Sequence, residues 1–250
     1  MSDKGSLFKG MTFILTSGKN QSSAEVLESM DTETESELDR STSDDIRPTS
    51  SQGFNRSEVA KKIRENGGTV LDAFPGAKRA IPKDLIILTD KYCRTMTFLM
   101  GIAYGFMRIN YHWVNHSLGE GRLMDRNNYV VPMGYSKIKE AEVENHEVRV
   151  KLTGLMKNTN VLLASKEETF CEDWKPLLTR LGASVCSRTK GKIDRSLPKI
   201  DVLIADEGSN VPEGLVKDAR SKDVPVVSSE WVIQCLINGS LVSKTSFILP

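Results

Sequence analysis

An α/β protein built from two copies of one small unit is the fold class this sequence predicts, and three observations predict it. Short β-branched runs alternate with helical apolar periods, the alternation occurs twice in the same order, and near-continuous apolar strands joined by helices imply a small parallel sheet covered on both faces. The duplication also accounts for the 250 residues, a length that alone permits one large domain or two small ones at roughly 100–200 residues each.

The first strand, Phe13-Ile14-Leu15-Thr16-Ser17, is matched in the second copy by Val161-Leu162-Leu163-Ala164-Ser165. The apolar pattern then disappears between 19 and 52, where positions 31–45 hold seven carboxylates against the single Arg40. Such a composition cannot bury enough apolar surface to offset ordering entropy, so an acidic disordered insert is expected, either inert or suited to an acid-directed kinase. It explains why Ser17 and Gly67 lie 50 residues apart where Ser165 and Gly182 are separated by 17. Beyond it, Val59, Ala60 and Ile63 share one face of a helix ended by Gly67 and Gly68, as Trp174, Leu177, Leu178 and Leu181 do before Gly182. The second strands follow at Thr69-Val70 and Ser184-Val185, and the third at Leu85-Ile86-Ile87-Leu88-Thr89-Asp90 and Val202-Leu203-Ile204-Ala205-Asp206.

The next helix differs between copies. In the second, positions 212–223 carry Lys217, Asp218, Arg220, Lys222 and Asp223 on a wet face, whereas Met96, Phe98, Leu99, Met100, Ile102, Ala103 and Tyr104 leave almost no polar face in the first. A helix apolar all round is buried on two sides, so this one is expected to pack on its own sheet and on the second copy, making a rigid pair. The last helix follows Val226-Val227, with Ser228 or Ser229 as N-cap, Trp231, Val232, Cys235 and Leu236 turned inward and Gly239 as its stop; the first copy repeats it over 110–119 around Trp113. The expected organisation is a first repeat over 5–133 with the insert at 19–52, a polar linker over 134–157, and a second repeat over 158–250.

Lys and Arg number 34 against 33 Asp and Glu, so the net charge of +1 supplies no global field for nucleic acid or an anionic membrane. Apolar runs such as Leu85-Ile86-Ile87-Leu88 are far too short for a membrane span, and the chain reads as soluble and unsecreted. Cys93, Cys171, Cys186 and Cys235 form no C-x-x-C pair, so reduced, mostly buried thiols are expected. Gly18-Lys19 fails the phosphate-loop pattern because Phe13 and Asn20 stand where glycine and a hydroxyl residue are needed. Gly119-Glu120-Gly121 follows a helix and lacks a third glycine, which argues against a dinucleotide site. Asp90 and Asp206 end strands without the acidic pair of a phosphoacceptor site, and His112 and His116 have no third zinc ligand nearby. Neither an enzyme nor a cofactor is expected.

A four-strand, three-helix unit with Gly67-Gly68 after its first helix and Trp113 in its last, repeated as Gly182 and Trp231, resembles the BRCT domain. Cys93-Arg94-Thr95 before an apolar helix and Ser228-Ser229-Glu230-Trp231-Val232-Ile233-Gln234-Cys235-Leu236 strengthen the likeness. With the insert and Asn127-Asn128-Tyr129-Val130-Val131-Pro132-Met133-Gly134-Tyr135-Ser136, it is most similar to the tandem module of the p53-binding protein family of DNA-damage checkpoint adaptors. The resemblance implies two repeats, each a four-stranded parallel sheet flanked by three helices, in a nuclear adaptor that takes a phosphoserine-containing, histone-like protein tail between them. It further implies Thr16 as the phosphate-binding hydroxyl, Ser17 as the backbone N–H, and Arg94 as the group holding the peptide main chain or a terminal carboxylate. Where the family has a phosphate-binding lysine, Thr97 stands here, with Lys19 as a candidate substitute. The loss of one such bond, worth about 1.5–3 kcal/mol, keeps a phosphate-independent scaffold open as the alternative. The p53 DNA-binding domain is the partner that the resemblance implies for the first repeat and linker, at Asn128 and Tyr129.

Overall fold

The computed structural model describes residues 6–18, 54–75, 80–144, 152–188, 199–206 and 212–250; the acidic insert and Lys19 lie outside the described residues. In chain order the first half comprises β1 (Thr12–Leu15), α1 (Arg56–Glu65), β2 (Thr69–Leu71), β3 (Leu85–Thr89), α2 (Met96–Tyr104), β4 (Met107–Asn110) and α3 (His112–Glu120). A hairpin of β5 (Gly134–Ser136) and β6 (Ala141–Val143) follows. The second half repeats the first as β7 (Asn160–Ala164), α4 (Glu168–Arg180), β8 (Ser184–Arg188), β9 (Val202–Ala205), α5 (Glu213–Ser221), β10 (Val226–Ser228) and α6 (Glu230–Asn238).

Each repeat is a four-stranded sheet, β2-β1-β3-β4 and β10-β9-β7-β8, and every pairing within it is parallel. The β-branched and leucine-rich runs became buried central strands because each crossover helix covers a face: all of β3 and β9 is buried. Helix α1 presents Val59, Ala60 and Ile63 inward, and Asn55 caps its start by accepting from Glu58 N. Trp113 and Trp231 hold equivalent places: Trp113 Nε1 donates to Met124 O at 2.9 Å and Trp231 Nε1 to Val242 O at 3.0 Å.

Helix α2 is buried on two sides, as its composition requires. Its sheet side is marked by Gly101, where an added Cβ would stand 2.1 Å from Ile87 Cδ1. Leu99 and Ala103 occupy the opposite side and are each only 2 % exposed, because α4 and α6 of the second repeat pack there. One continuous apolar cluster thus runs from Phe98, Leu99 and Ile102 to Leu177, Trp231 and Leu236, and the two repeats share a core.

Three details differ from the sequence reading. The expected polar linker opens with the β5–β6 hairpin, paired Gly134 to Val143 and Ser136 to Ala141, and three residues per strand are too few for alternation to show. Helix α3 runs past Gly119 to Glu120, because Gly121 is the residue in the left-handed conformation that ends it, at φ 63°. Ser228 belongs to β10, and Ser229 precedes α6 in a helical conformation, φ −60° and ψ −20°, in which its hydroxyl makes no capping bond.

Gly182 joins α4 to β8 at φ +95°, and a Cβ there would lie 3.1 Å from Gly154 Cα. Gly182→Ala is expected to lower stability by about 1–2 kcal/mol from the left-handed backbone alone, with the contact adding to it. Urea denaturation measures this; an unchanged midpoint would show that the turn relaxes without strain.

Candidate functional site

Parallel strands and their crossover helices bring the C-terminal end of β1 and the start of α2 to the same edge of the first sheet. Thr16, 4 % exposed, follows β1 and donates its N–H to Leu88 O at 2.9 Å. Its Oγ1 lies 2.6 Å from Thr95 Oγ1, the N-cap of α2, which accepts from Phe98 N at 3.4 Å and lies 3.3 Å from Cys93 Sγ. If Thr95 donates to Thr16, the Thr16 hydroxyl keeps its own proton for a ligand, and the bond polarises it. Ser17 lies half-buried just beyond, and its backbone N–H has no partner among the described residues. The unpaired N–H groups of the first turn of α2 add positive potential at this edge. Thr97 sits half-buried in that turn, where its short neutral side chain brings a hydroxyl but no charge.

Arg94, two residues before α2, reaches across to the second repeat. Its guanidinium grips both carboxylate oxygens of Glu230, the first residue of α6, with Nη2 to Oε1 at 3.0 Å. Glu230 is nearly enclosed, its side chain 8 % exposed, whereas the Arg94 side chain is 56 % exposed. Lys137 Nζ lies 3.5 Å from Glu230 Oε1, and Gln234 Nε2 donates to that oxygen at 3.0 Å and to Tyr135 O at 3.1 Å. Gln234 Oε1 in turn accepts from Lys137 N at 2.9 Å, and Ser136 Oγ donates to Asn238 Oδ1 at 2.8 Å. First repeat, hairpin and second repeat therefore meet on one buried carboxylate.

The matching edge of the second repeat is built differently. By strand register Ala164 occupies the place of Thr16, and Ser165 that of Ser17. Ser165 Oγ donates to the Asp206 carboxylate at 3.0 Å and accepts from Glu167 N at 2.9 Å. The Ser165 hydroxyl is thus already committed to a carboxylate, which would repel an anion approaching it.

Asn128 and Tyr129 lie elsewhere, at the end of the 3-10 turn Arg126–Tyr129. They line a cavity of about 600 Å³ with Asp90, Tyr92, His112 and His116, on the α3 side of the first repeat. Tyr129 Oη lies 2.8 Å from His116 Nδ1, and the His112 and His116 rings stack at 5.9 Å. Burial, and secondarily the neighbouring His116, holds the His112 imidazole below its usual titration range. Among the described residues no three His, Cys, Asp or Glu side chains are placed to hold a metal ion.

The structure thus joins Thr16 to Thr95, two residues before Thr97 in the first turn of α2, sets Arg94 against Glu230 of the second repeat, and places Asn128 and Tyr129 at the separate cavity lined by Asp90, Tyr92, His112 and His116. Sequence reasoning overlooked Thr95, Glu230, Gln234 and Lys137. Thr95 was signalled by a hydroxyl residue directly before an apolar run. Glu230 and Gln234 were signalled as the polar residues that interrupt the apolar run Trp231, Val232, Ile233, Cys235, Leu236 and Ile237 of α6.

Residues 154–247 match the family model of the BRCA1 C Terminus (BRCT) domain. The crystal structure of Rtt107p (residues 820–1070) superposes with a TM-score of 0.54 at 11 % identity, covering 99 % of this chain and 94 % of that one. The complex of Rtt107p with a phosphorylated histone aligns at 0.52 with 11 % identity, over 97 % of this chain and 94 % of that chain. The BRCT5-BRCT6 domains of S. pombe Brc1 align at 0.47 and 13 % identity, over 93 % of this chain and 94 % of theirs. At these identities the likeness is one of fold: residues 154–247 are a BRCT domain, and the chain as a whole has the architecture of a tandem BRCT module.

Proposed function

We propose that this chain is a non-enzymatic interaction module of a nuclear DNA-damage checkpoint adaptor of the p53-binding kind, and that it takes a phosphoserine-containing, histone-like tail between its repeats. The observation that carries this reading is the Thr16–Thr95 hydroxyl pair beside the Ser17 N–H, with Arg94 held at the neighbouring inter-repeat junction by Glu230. A phosphate oxygen accepts from the hydroxyl and the N–H, and the peptide downstream meets the exposed face of Arg94. Rtt107p, which shares the fold, has a structure in complex with a phosphorylated histone. Calorimetric titration of a phosphoserine-tailed histone peptide and its unphosphorylated twin tests the reading. The phosphorylated form is expected to bind more tightly, and Thr16→Ala to weaken it by about tenfold, the equivalent of one hydrogen bond to a charged group. Equal weak binding of both peptides would sink the proposal.

A second reading has its own observation in the cavity beside Asn128 and Tyr129. It is a phosphate-independent scaffold that docks a partner such as the p53 DNA-binding domain on the first repeat and linker. In a pull-down with that domain, Tyr129→Ala is expected to abolish capture while Thr16→Ala leaves it intact; the reverse pattern excludes this reading.

A further inference from the structure

Thr97 brings no charge to a phosphate held by the Thr16 hydroxyl and the Ser17 N–H, and Lys19 lies outside the described residues, so the cation is sought among the described side chains at this edge. We propose that Arg56 supplies it. The inference rests on the phosphate-reading function above and identifies a binding residue of that site. Strand β2 pairs with β1 only as far as Leu71 opposite Ile14, so the Leu15 carbonyl lies beyond the last rung on that side. Arg56 Nη2 donates to this carbonyl at 2.7 Å. The peptide unit that carries it continues directly into Thr16, whose N–H points the other way to Leu88 O. The guanidinium is thereby fixed one peptide unit from the phosphate-binding hydroxyl and two from the Ser17 N–H.

Arg56 is suited to this role in three respects. It is the first residue of α1, and the Asn55 cap holds its backbone in place. It is exposed, and the bond to Leu15 O uses one of its five N–H donors, leaving others of the planar fork for phosphate oxygens. No carboxylate competes for it among the described residues, since the nearby Glu58 is paired with Lys62 at 2.6 Å. The second repeat differs, with Glu167 and Glu168 where Asn55 and Arg56 begin α1, and Asp206 bonded to Ser165. Among the described residues, the first repeat therefore places the Thr16 hydroxyl, the Ser17 N–H and the Arg56 cation at one edge, where the second repeat sets the Asp206 carboxylate on Ser165.

The test titrates the whole chain with the phosphoserine-tailed histone peptide and its unphosphorylated twin, and takes the ratio of the two affinities as readout. Arg56→Gln is expected to reduce that ratio about tenfold or more, because a charge-assisted bidentate contact is lost. Thr97→Lys is expected to leave the wild-type ratio nearly unchanged, and to restore it in the Arg56→Gln chain by supplying a cation from α2. That rescue separates loss of charge from disturbance of the Leu15 contact. If the wild-type chain discriminates but Arg56→Gln discriminates equally well, the assignment of Arg56 is wrong while the phosphate reading stands. Failure of the lysine to rescue a lost ratio would assign Arg56 to holding β1 rather than to contacting phosphate. If the wild-type chain binds both peptides equally, the phosphate reading itself fails.

Discussion

Leu99→Ala is expected to lower the unfolding free energy by about 2–5 kcal/mol and to loosen one repeat from the other. Leu99 is 2 % exposed on the side of α2 that faces away from its own sheet, and it belongs to the apolar cluster that continues into α4 and α6. Truncation removes its dispersion contacts and leaves a cavity between two rigid layers, which can close only if the repeats shift together. A control is Val59→Ala, which lies in the cluster confined to the first repeat. Both substitutions should lower the urea midpoint, but only Leu99→Ala should raise hydrogen exchange on facing elements of both repeats, α2 and α4 together. Exchange that rises in α2 alone would show that the shared core does not couple the repeats.

Removing one partner of the inter-repeat ion pair has the next largest expected effect, and it is asymmetric. Arg94→Ala leaves the nearly enclosed Glu230 carboxylate with Lys137 and Gln234 only, and is expected to cost about 1–3 kcal/mol. The lower part of that range is favoured because the Arg94 side chain is 56 % exposed and its attraction is screened. Glu230→Gln should cost less, since Arg94 and Lys137 can both turn into solvent while the amide keeps the bond geometry of Gln234. Arg94→Glu should cost most, because it sets two carboxylates against each other, and Glu230→Arg should partly rescue it. Equal losses for Arg94→Ala and Glu230→Gln in chemical denaturation would show that the buried carboxylate contributes nothing beyond its own volume. If Arg94 meets the bound peptide as proposed, Arg94→Ala should weaken phosphopeptide binding even at temperatures where the chain remains folded.

The residues that were legible in the sequence are those whose environment is local. Phe13 to Leu15 and Leu85 to Leu88 announce buried strands because both faces of a covered sheet demand apolar side chains. Helix α2 announces its two-sided burial because it has no polar face to give to water. Thr16 and Ser17 could be placed because they directly follow a strand whose end is fixed by its register.

What escaped depends on partners far away in the chain. Glu230 lies 136 residues from Arg94, and nothing around either reveals that they form a pair. Arg56 looks like one more exposed charge on an amphipathic helix, and only the early end of β2 at Leu71 shows the open carbonyl it serves. The β5–β6 hairpin was invisible because each strand is three residues long and is held chiefly by Gln234 and Asn238 of α6.

By itself the sequence determined the α/β class, its repetition, the parallel sheets and the helix shared between the repeats. Periodicity and glycine positions are properties of neighbouring residues, and one unit stated twice makes its pattern easier to read. Only the tertiary structure decided that Thr16 bonds Thr95, that Arg94 is held by Glu230, and that Arg56 stands beside the Leu15 carbonyl. Charges and hydroxyls act over a few ångströms in space whatever their separation along the chain, so their partners are chosen by the packing of the repeats and not by the residues beside them.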